Sequence, residues 1–92
     1  MSMNLHIEVD GEELEIYQTP TYITKMCLAP NKHGKVSKSR AINAYLEYVR
    51  SKANGVYETA EEAKEEKQKV NDHIDEVMSA LAGAEKIEVC AL

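Results

Sequence analysis

Aromatic residues are scarce in this 92-residue sequence, which contains no Trp, no Phe and five Tyr. The Ile, Leu, Val, Met and Tyr side chains must therefore build the core, and a cofactor site lined with aromatic rings is not expected. No stretch approaches the run of about 20 apolar residues that a membrane-spanning helix needs. The first residues also lack a basic segment followed by an apolar run. We therefore expect a cytoplasmic protein.

Cysteine is scarce too. Cys27 and Cys90 lie far apart in the sequence and form no paired motif, so we expect two free thiols in a reducing compartment. The three histidines show no spacing typical of a zinc site, and no phosphate-binding loop or dinucleotide fingerprint is present. Cys27 and His33 are close in sequence, but Pro30 lies between them and no third catalytic residue is marked. The sequence predicts no metal, no cofactor, no small-molecule substrate and no enzymatic activity.

The composition that is present suits one small folded domain. It is 43% apolar and 29% charged, which is typical of a globular chain and not of a disordered one. We expect a single domain over residues 1–92. A chain of this size buries only about two-thirds of the surface that it exposes when unfolded, so its stability should be marginal. A subunit interface would add to that stability.

The first element predicted is a β-hairpin. Apolar and polar residues alternate from Leu5 to Asp10, and the dipeptide Asp10-Gly11 is a preferred two-residue turn. The turn predicts three pairs on the apolar face: Val9 with Glu12, Ile7 with Leu14, and Leu5 with Ile16. It predicts two pairs on the polar face: Glu8 with Glu13, and His6 with Glu15.

Helix signals follow the hairpin. Thr19 is placed to cap a short helix that begins at Pro20 and ends near Leu28. A second helix is predicted from Ser37, as its cap, to about Lys52. It should end on Asn54-Gly55, with a residue in the left-handed conformation.

The third helix has the clearest signal. Thr59 and Glu62 form a capping box, Gly83 marks the end, and the length between them is about 24 residues. A last strand is predicted from Lys86 to Leu92, where apolar and polar residues alternate. The expected fold is α+β, in the order β-β-α-α-α-β: an N-terminal β-hairpin and a C-terminal strand form a three-stranded antiparallel sheet packed by two or three helices.

The third helix also carries apolar residues at alternating spacings of three and four. Four of them are candidates for self-association through a coiled-coil seam: Val70, Ile74, Val77 and Leu81. The alternative is that this face packs on the second helix of the same chain. The second helix is shorter, so the acidic N-terminal half of the third helix should project beyond it.

Charge is distributed unevenly along the chain. Residues 1–24 carry five acids and no Lys or Arg, residues 25–52 carry seven bases and one acid, and residues 53–92 carry ten acids and four bases. We predict that the partner-binding site lies in the basic segment, residues 32–40, and consists of Lys32, His33, Lys35, Lys38 and Arg40. An acidic protein surface, including that of another copy, would complement it. A solvated loop without a partner is the alternative.

Nucleic acid is a second possible partner. Basic residues that lead into a helix N-terminus can contact phosphates, and residues 36–46 resemble the second helix of ribbon-helix-helix repressors. In such a repressor the preceding strand, here residues 12–18, would read DNA. That strand carries three glutamates, which repel phosphate. We therefore expect a protein partner, with nucleic acid as the alternative.

The start of the chain resembles a known family. Residues 4–17, followed by Thr19-Pro20 and a short helix with Lys25-Met26, are similar to the start of tail assembly chaperones of long-tailed phages. The resemblance covers the first quarter of the chain. It implies a small acidic protein that self-associates, coats the tape measure protein and works in the host cytoplasm. A phage-encoded inhibitor of a bacterial defence system has a similar size and charge. Both alternatives predict a non-enzymatic protein-interaction module.

Overall fold

A computed structural model describes residues 3–92; Met1 and Ser2, the first residues of the predicted domain, lie outside the described part. Six elements follow one another: β1 (Leu5–Val9), β2 (Glu12–Glu13), α1 (Thr21–Cys27), α2 (Lys38–Lys52), α3 (Ala60–Ala82) and β3 (Ile87–Ala91). The three strands form one antiparallel sheet in the order β2-β1-β3. The predicted α+β fold and its order of elements are confirmed.

The hairpin turn is formed as predicted. Asp10 and Gly11 both have a positive φ, 51° and 85°, as a type I′ turn requires. Val9 lies opposite Glu12 and Glu8 opposite Glu13. The Leu14 N–H donates to the Ile7 carbonyl at 2.8 Å, which continues the predicted register by one pair.

Beyond Leu14 the prediction is wrong, because β2 is only two residues long. The expected pairs of Leu5 with Ile16 and of His6 with Glu15 do not form. Thr19 replaces Ile16, since its Oγ1 accepts the Leu5 N–H at 3.1 Å. Residues 15–18 therefore leave the sheet.

Thr19 also has a different role from the predicted one. It is buried, and its hydroxyl is hydrogen bonded to that of Thr24 on α1. Pro20 is the N-cap residue of α1 and provides no side-chain cap. The hydroxyl of Thr19 thus fixes α1 against β1, which is why it is unavailable for capping.

The caps of the two longer helices are confirmed at their N-termini. The Ser37 hydroxyl accepts the Arg40 N–H, and the Thr59 hydroxyl accepts the Glu62 N–H. The predicted left-handed end of α2 at Asn54-Gly55 is wrong. The N–H groups of residues 53, 54 and 55 each bond the carbonyl three residues earlier, and the Tyr57 hydroxyl donates to the Lys52 carbonyl at 2.7 Å. These bonds satisfy the last carbonyls without a left-handed residue.

The core lies between the sheet and the helices. The apolar face of β1 packs there with Cys27 of α1 and with five buried residues of α2: Ala41, Ile42, Tyr45, Leu46 and Val49. From α3 the core receives Val70, Ile74 and Val77. The first ten residues of α3 have no buried side chain, so this half projects as predicted.

The self-association seam on α3 needs correction. Val70 is 1% exposed, Ile74 6% and Val77 1%, and Leu81 is half-buried against the same cluster. These side chains fill the core of one chain, so they are not a surface for a second copy. A spacing of three and four residues marks an apolar helix face but does not identify what covers it. Among the helices of residues 3–92, none combines the length and apolar character needed to cross a membrane.

Candidate protein-interaction site

The basic segment begins in a loop organised by Asn31. The Asn31 Oδ1 accepts the N–H groups of His33 at 2.9 Å and of Lys35 at 3.1 Å. The Asn31 N–H donates to the Lys35 carbonyl at 2.8 Å, and its carbonyl accepts the Gly34 N–H at 2.9 Å. Gly34 has a φ of 75°, which closes the turn at little steric cost. The loop is therefore well defined, although Pro30 precedes it and Gly34 lies within it.

The second half of the basic segment lies on the first turn of α2. Ser37 caps this helix, Lys38 is its first residue, and the first turn contains no acid. The N-terminus of a helix carries a partial positive charge, which favours anions and disfavours cations. Lys38 and Arg40 therefore do not stabilise the isolated chain at this position. An anionic partner at this end of α2 would be attracted by both side chains and by the helix N-terminus.

The structure places all five predicted residues on one segment that runs from the loop into the first turn of α2. Each of the five is exposed. In the described part of the chain, basic and acidic side chains meet where His6 contacts Glu8 and Glu13 and where Lys86 contacts Glu88, and none of these contacts involves the basic segment. Its charges are thus available to a partner.

The Asn31 hydrogen bonds lead to a first prediction. Asn31→Ala should leave the thermal midpoint almost unchanged, because the site is on the surface. It should speed hydrogen exchange at the amides of residues 33 and 35 about fivefold, since one lost hydrogen bond is worth about 1 kcal/mol. Exchange followed by NMR measures this. Asn43→Ala, at an exposed position of α2, is the control and should leave both amides unchanged. Unchanged exchange in Asn31→Ala would contradict the ordered loop.

A second charged surface, the polar face of the sheet, is acidic. Glu8 lies directly opposite Glu13 on one side and Glu88 on the other. His6 contacts two of these carboxylates, at 3.4 Å from Glu8 and 3.3 Å from Glu13. The sequence predicted the pair of Glu8 with Glu13. It did not predict Glu88, because the strand order was not readable.

A polar cluster around the buried side chain of Tyr45 was also missed. The Tyr45 hydroxyl is 2.8 Å from His73 Nε2 and accepts the Tyr17 N–H at 2.9 Å. The rings of Tyr17 and His73 lie 4.7 Å apart, and Lys52 lies over the ring of Tyr17. This cluster fastens residues 14–18 onto α2 and α3. In the sequence, Tyr45 lies beside the apolar residues of α2. Its hydroxyl is the signal that could have indicated a buried hydrogen-bond partner.

Burial changes the acidity of two groups. Desolvation raises the pKa of the Tyr45 phenol to about 12. Burial also raises the pKa of the Cys27 thiol, which keeps it protonated and unreactive. Cys90 is exposed on the polar face of the sheet, and both cysteines are free, as predicted.

An open groove of about 500 Å³ runs beside the polar face. Residues 4–6, Glu13, residues 15–18 and Leu92 line it. A smaller cavity of about 250 Å³ continues along the same segment to His73 and Glu76. Over residues 3–92, no group of three or more His, Cys, Asp or Glu side chains is arranged to hold a metal ion. No protein-family model, no curated protein and no solved structure matches the chain.

Proposed function

We propose that this protein is a non-enzymatic interaction module that binds an acidic protein surface through its basic segment. The observation that carries the proposal is that five exposed basic side chains lie on an ordered loop and at a helix N-terminus. Within residues 3–92, none of these five side chains forms an ion pair. An ordered loop lowers the entropy cost of binding. Long-range attraction between such a segment and an acidic surface speeds association.

A protein partner is favoured over DNA by the state of the first hairpin. The strand that a ribbon-helix-helix protein would place on DNA is here two residues long, and both residues are exposed glutamates. The neighbouring polar face adds further carboxylates, which would repel phosphate at close range. Nucleic acid remains the alternative partner that the experiment below tests.

The proposal is compatible with two kinds of phage protein. One is the tail assembly chaperone that the first quarter of the chain resembles, which would bind a tape measure protein and work in the host cytoplasm. The other is an inhibitor of a bacterial defence system. Both would use binding without catalysis.

The test compares two charge variants that lose the same number of bases. The first replaces Lys32, Lys35, Lys38 and Arg40 by Gln. The control replaces four exposed bases elsewhere by Gln: Arg50, Lys64, Lys67 and Lys69. Gln keeps the helix propensity close to that of Lys and Arg. Each purified protein is immobilised and exposed to lysate of the source cell, with and without nuclease treatment, and bound protein is quantified over time across a salt series.

We expect the parent and the control to retain the same protein partner, with binding that weakens as salt rises. The first variant should associate at least about tenfold more slowly at low salt and show a flatter salt dependence. Two results would overturn the proposal: equal binding by both variants, or capture by the parent and the control that disappears on nuclease treatment. The second result would assign the basic segment to nucleic acid.

A further inference from the structure

The outer edge of β3 is unpaired within residues 3–92. β3 is the last strand of the order β2-β1-β3 and pairs only with β1. An exposed strand edge is a row of unpaired N–H and C=O groups that can accept another strand. The strand is five residues long, Ile-Glu-Val-Cys-Ala, with one charged residue.

The hydrogen bonds to β1 identify which groups point outward. Asn4 and Leu92 exchange two backbone bonds, at 3.1 and 3.0 Å, and the Asp10 N–H donates to the Lys86 carbonyl at 2.8 Å. In an antiparallel pair, bonded residues alternate along the strand. The even-numbered residues of this segment therefore bond β1. Ile87, Val89 and Ala91 direct their N–H and C=O groups to the free edge.

We propose that β3 of one copy pairs antiparallel with β3 of a second copy about a two-fold axis at Val89, giving a six-stranded sheet. In this register Val89 lies opposite Val89 of the second copy, and Ile87 lies opposite its Ala91. All the outward groups of both strands are then used, in six hydrogen bonds. The proposal names one partner of the interaction module but does not depend on the basic segment.

Side-chain chemistry favours this register over its neighbours. Glu88 faces Cys90 of the second copy, so no like charges meet across the axis. A shift of two residues in one direction places Glu88 directly opposite Glu88 of the second copy, which is unfavourable. A shift in the other direction leaves Ile87 beyond the end of the partner strand. Within one chain, the repulsion between Glu8 and Glu88 is reduced by His6, which contacts Glu8, and by Lys86, which contacts Glu88.

The faces of the two strands also match. Ile87 and Val89 are half-buried and pack against the core, and Ala91 lies on the same face. Pairing about the axis places the apolar residues of both copies on one continuous face. It places Glu88 and Cys90 of both copies on the polar face. The second copy thus continues the pattern of the sheet on both sides.

The exposed thiol of Cys90 provides a direct test. In the proposed register the two Cys90 residues lie one strand and two residues apart, roughly 8 Å between Cα atoms. A short bismaleimide that spans this distance should crosslink the parent through Cys90. The control carries Cys90→Ser and Glu12→Cys, which moves the exposed thiol to β2 at the opposite edge of the sheet, and should not crosslink. Cys27 is buried in both.

Two variants at position 90 test the register without changing the backbone. Cys90→Glu places a carboxylate opposite Glu88 of the second copy twice per dimer, and should weaken dimerisation about tenfold. Cys90→Lys should preserve or strengthen it at low salt. Ala91→Pro removes one outward N–H, and edge strands tolerate proline, so it should yield a folded monomer. Sedimentation measures the association of each, and circular dichroism checks the fold.

We expect the parent to be a dimer at micromolar concentration, and the four-Gln variant of the basic segment to dimerise equally. A parent that stays monomeric at 100 μM protein would overturn the proposal, as would a dimer that does not crosslink through Cys90. Equal dimerisation by Cys90→Glu and Cys90→Lys at low salt would exclude this register. Failure of these tests would not contradict the proposed function of the basic segment, because the two surfaces are assayed by different variants.

Discussion

Val70→Glu should unfold the protein or lower its free energy of unfolding by about 4 kcal/mol or more. Val70 is 1% exposed and belongs to the buried core cluster. A glutamate there would either remain ionised and unpaired in an apolar environment or bind a proton, and both are costly. Single domains have a free energy of unfolding of only about 5–15 kcal/mol. Urea unfolding followed by circular dichroism measures the change.

The control for this experiment is Val56→Glu. Val56 is 101% exposed, so the same change of side chain occurs there in water and should alter the free energy of unfolding by less than about 0.5 kcal/mol. If α3 instead formed a coiled-coil seam between copies, Val70→Glu would give a folded monomer. A folded, stable Val70→Glu protein would contradict the core described above.

Tyr45→Phe should cost about 1–3 kcal/mol at neutral pH. The substitution leaves the Tyr17 N–H and His73 Nε2 without the hydroxyl that now bonds both. It should also change the response to alkali. Burial raises the pKa of Tyr45 from 10.0 to about 12, so the folded state holds this proton more tightly than the unfolded state.

The resulting stabilisation is complete below pH 10 and is lost as the pH rises from 10 to about 12. Its size is about 3 kcal/mol, since each pKa unit corresponds to about 1.36 kcal/mol. Tyr45→Phe should therefore lose less stability than the parent between pH 10 and 12. Urea unfolding at pH 7, 10 and 11.5 tests this. Tyr22→Phe, at an exposed position, is the control; a parallel fall in Tyr45→Phe and parent would contradict the buried phenol.

Local signals were sufficient for most of the fold. The Asp10-Gly11 turn, the caps at Ser37 and Thr59 and the end at Gly83 depend on residues close in sequence, and all are formed. The alternation of the last segment predicted a strand, and β3 occupies residues Ile87–Ala91. Such features follow from backbone conformation and nearby hydrogen bonds, which a short stretch of sequence can specify.

The errors occur where distant residues compete for the same group. Ile16 fits a longer hairpin, but Thr19 takes the Leu5 N–H instead. Gly55 suits a left-handed helix end, but backbone bonds and Tyr57 satisfy the last carbonyls of α2. These outcomes depend on the packing of α1 and of the loop before α3.

The candidate sites also divide into those that local sequence predicts and those that depend on distant residues. The five residues of the basic segment are close together in sequence, so their joint exposure was predictable from their charge and from the nearby Pro30 and Gly34. The α3 seam was not, because an apolar helix face looks the same whether it packs within a chain or between chains. The free edge of β3 depends on the strand order β2-β1-β3, which no local pattern encodes.

The most direct test of the central claim is site-specific photo-crosslinking from the basic segment. A benzophenone amino acid replaces Lys35 in one protein and Lys64, an exposed lysine of α3, in the other. Both are irradiated in the source cell, and adducts are digested with nuclease and mapped by mass spectrometry. We expect position 35 alone to give a nuclease-resistant adduct, mapped to an acid-rich segment of a protein. Identical adducts from both positions, or adducts to nucleic acid alone, would contradict the assignment of the basic segment as a protein-binding surface.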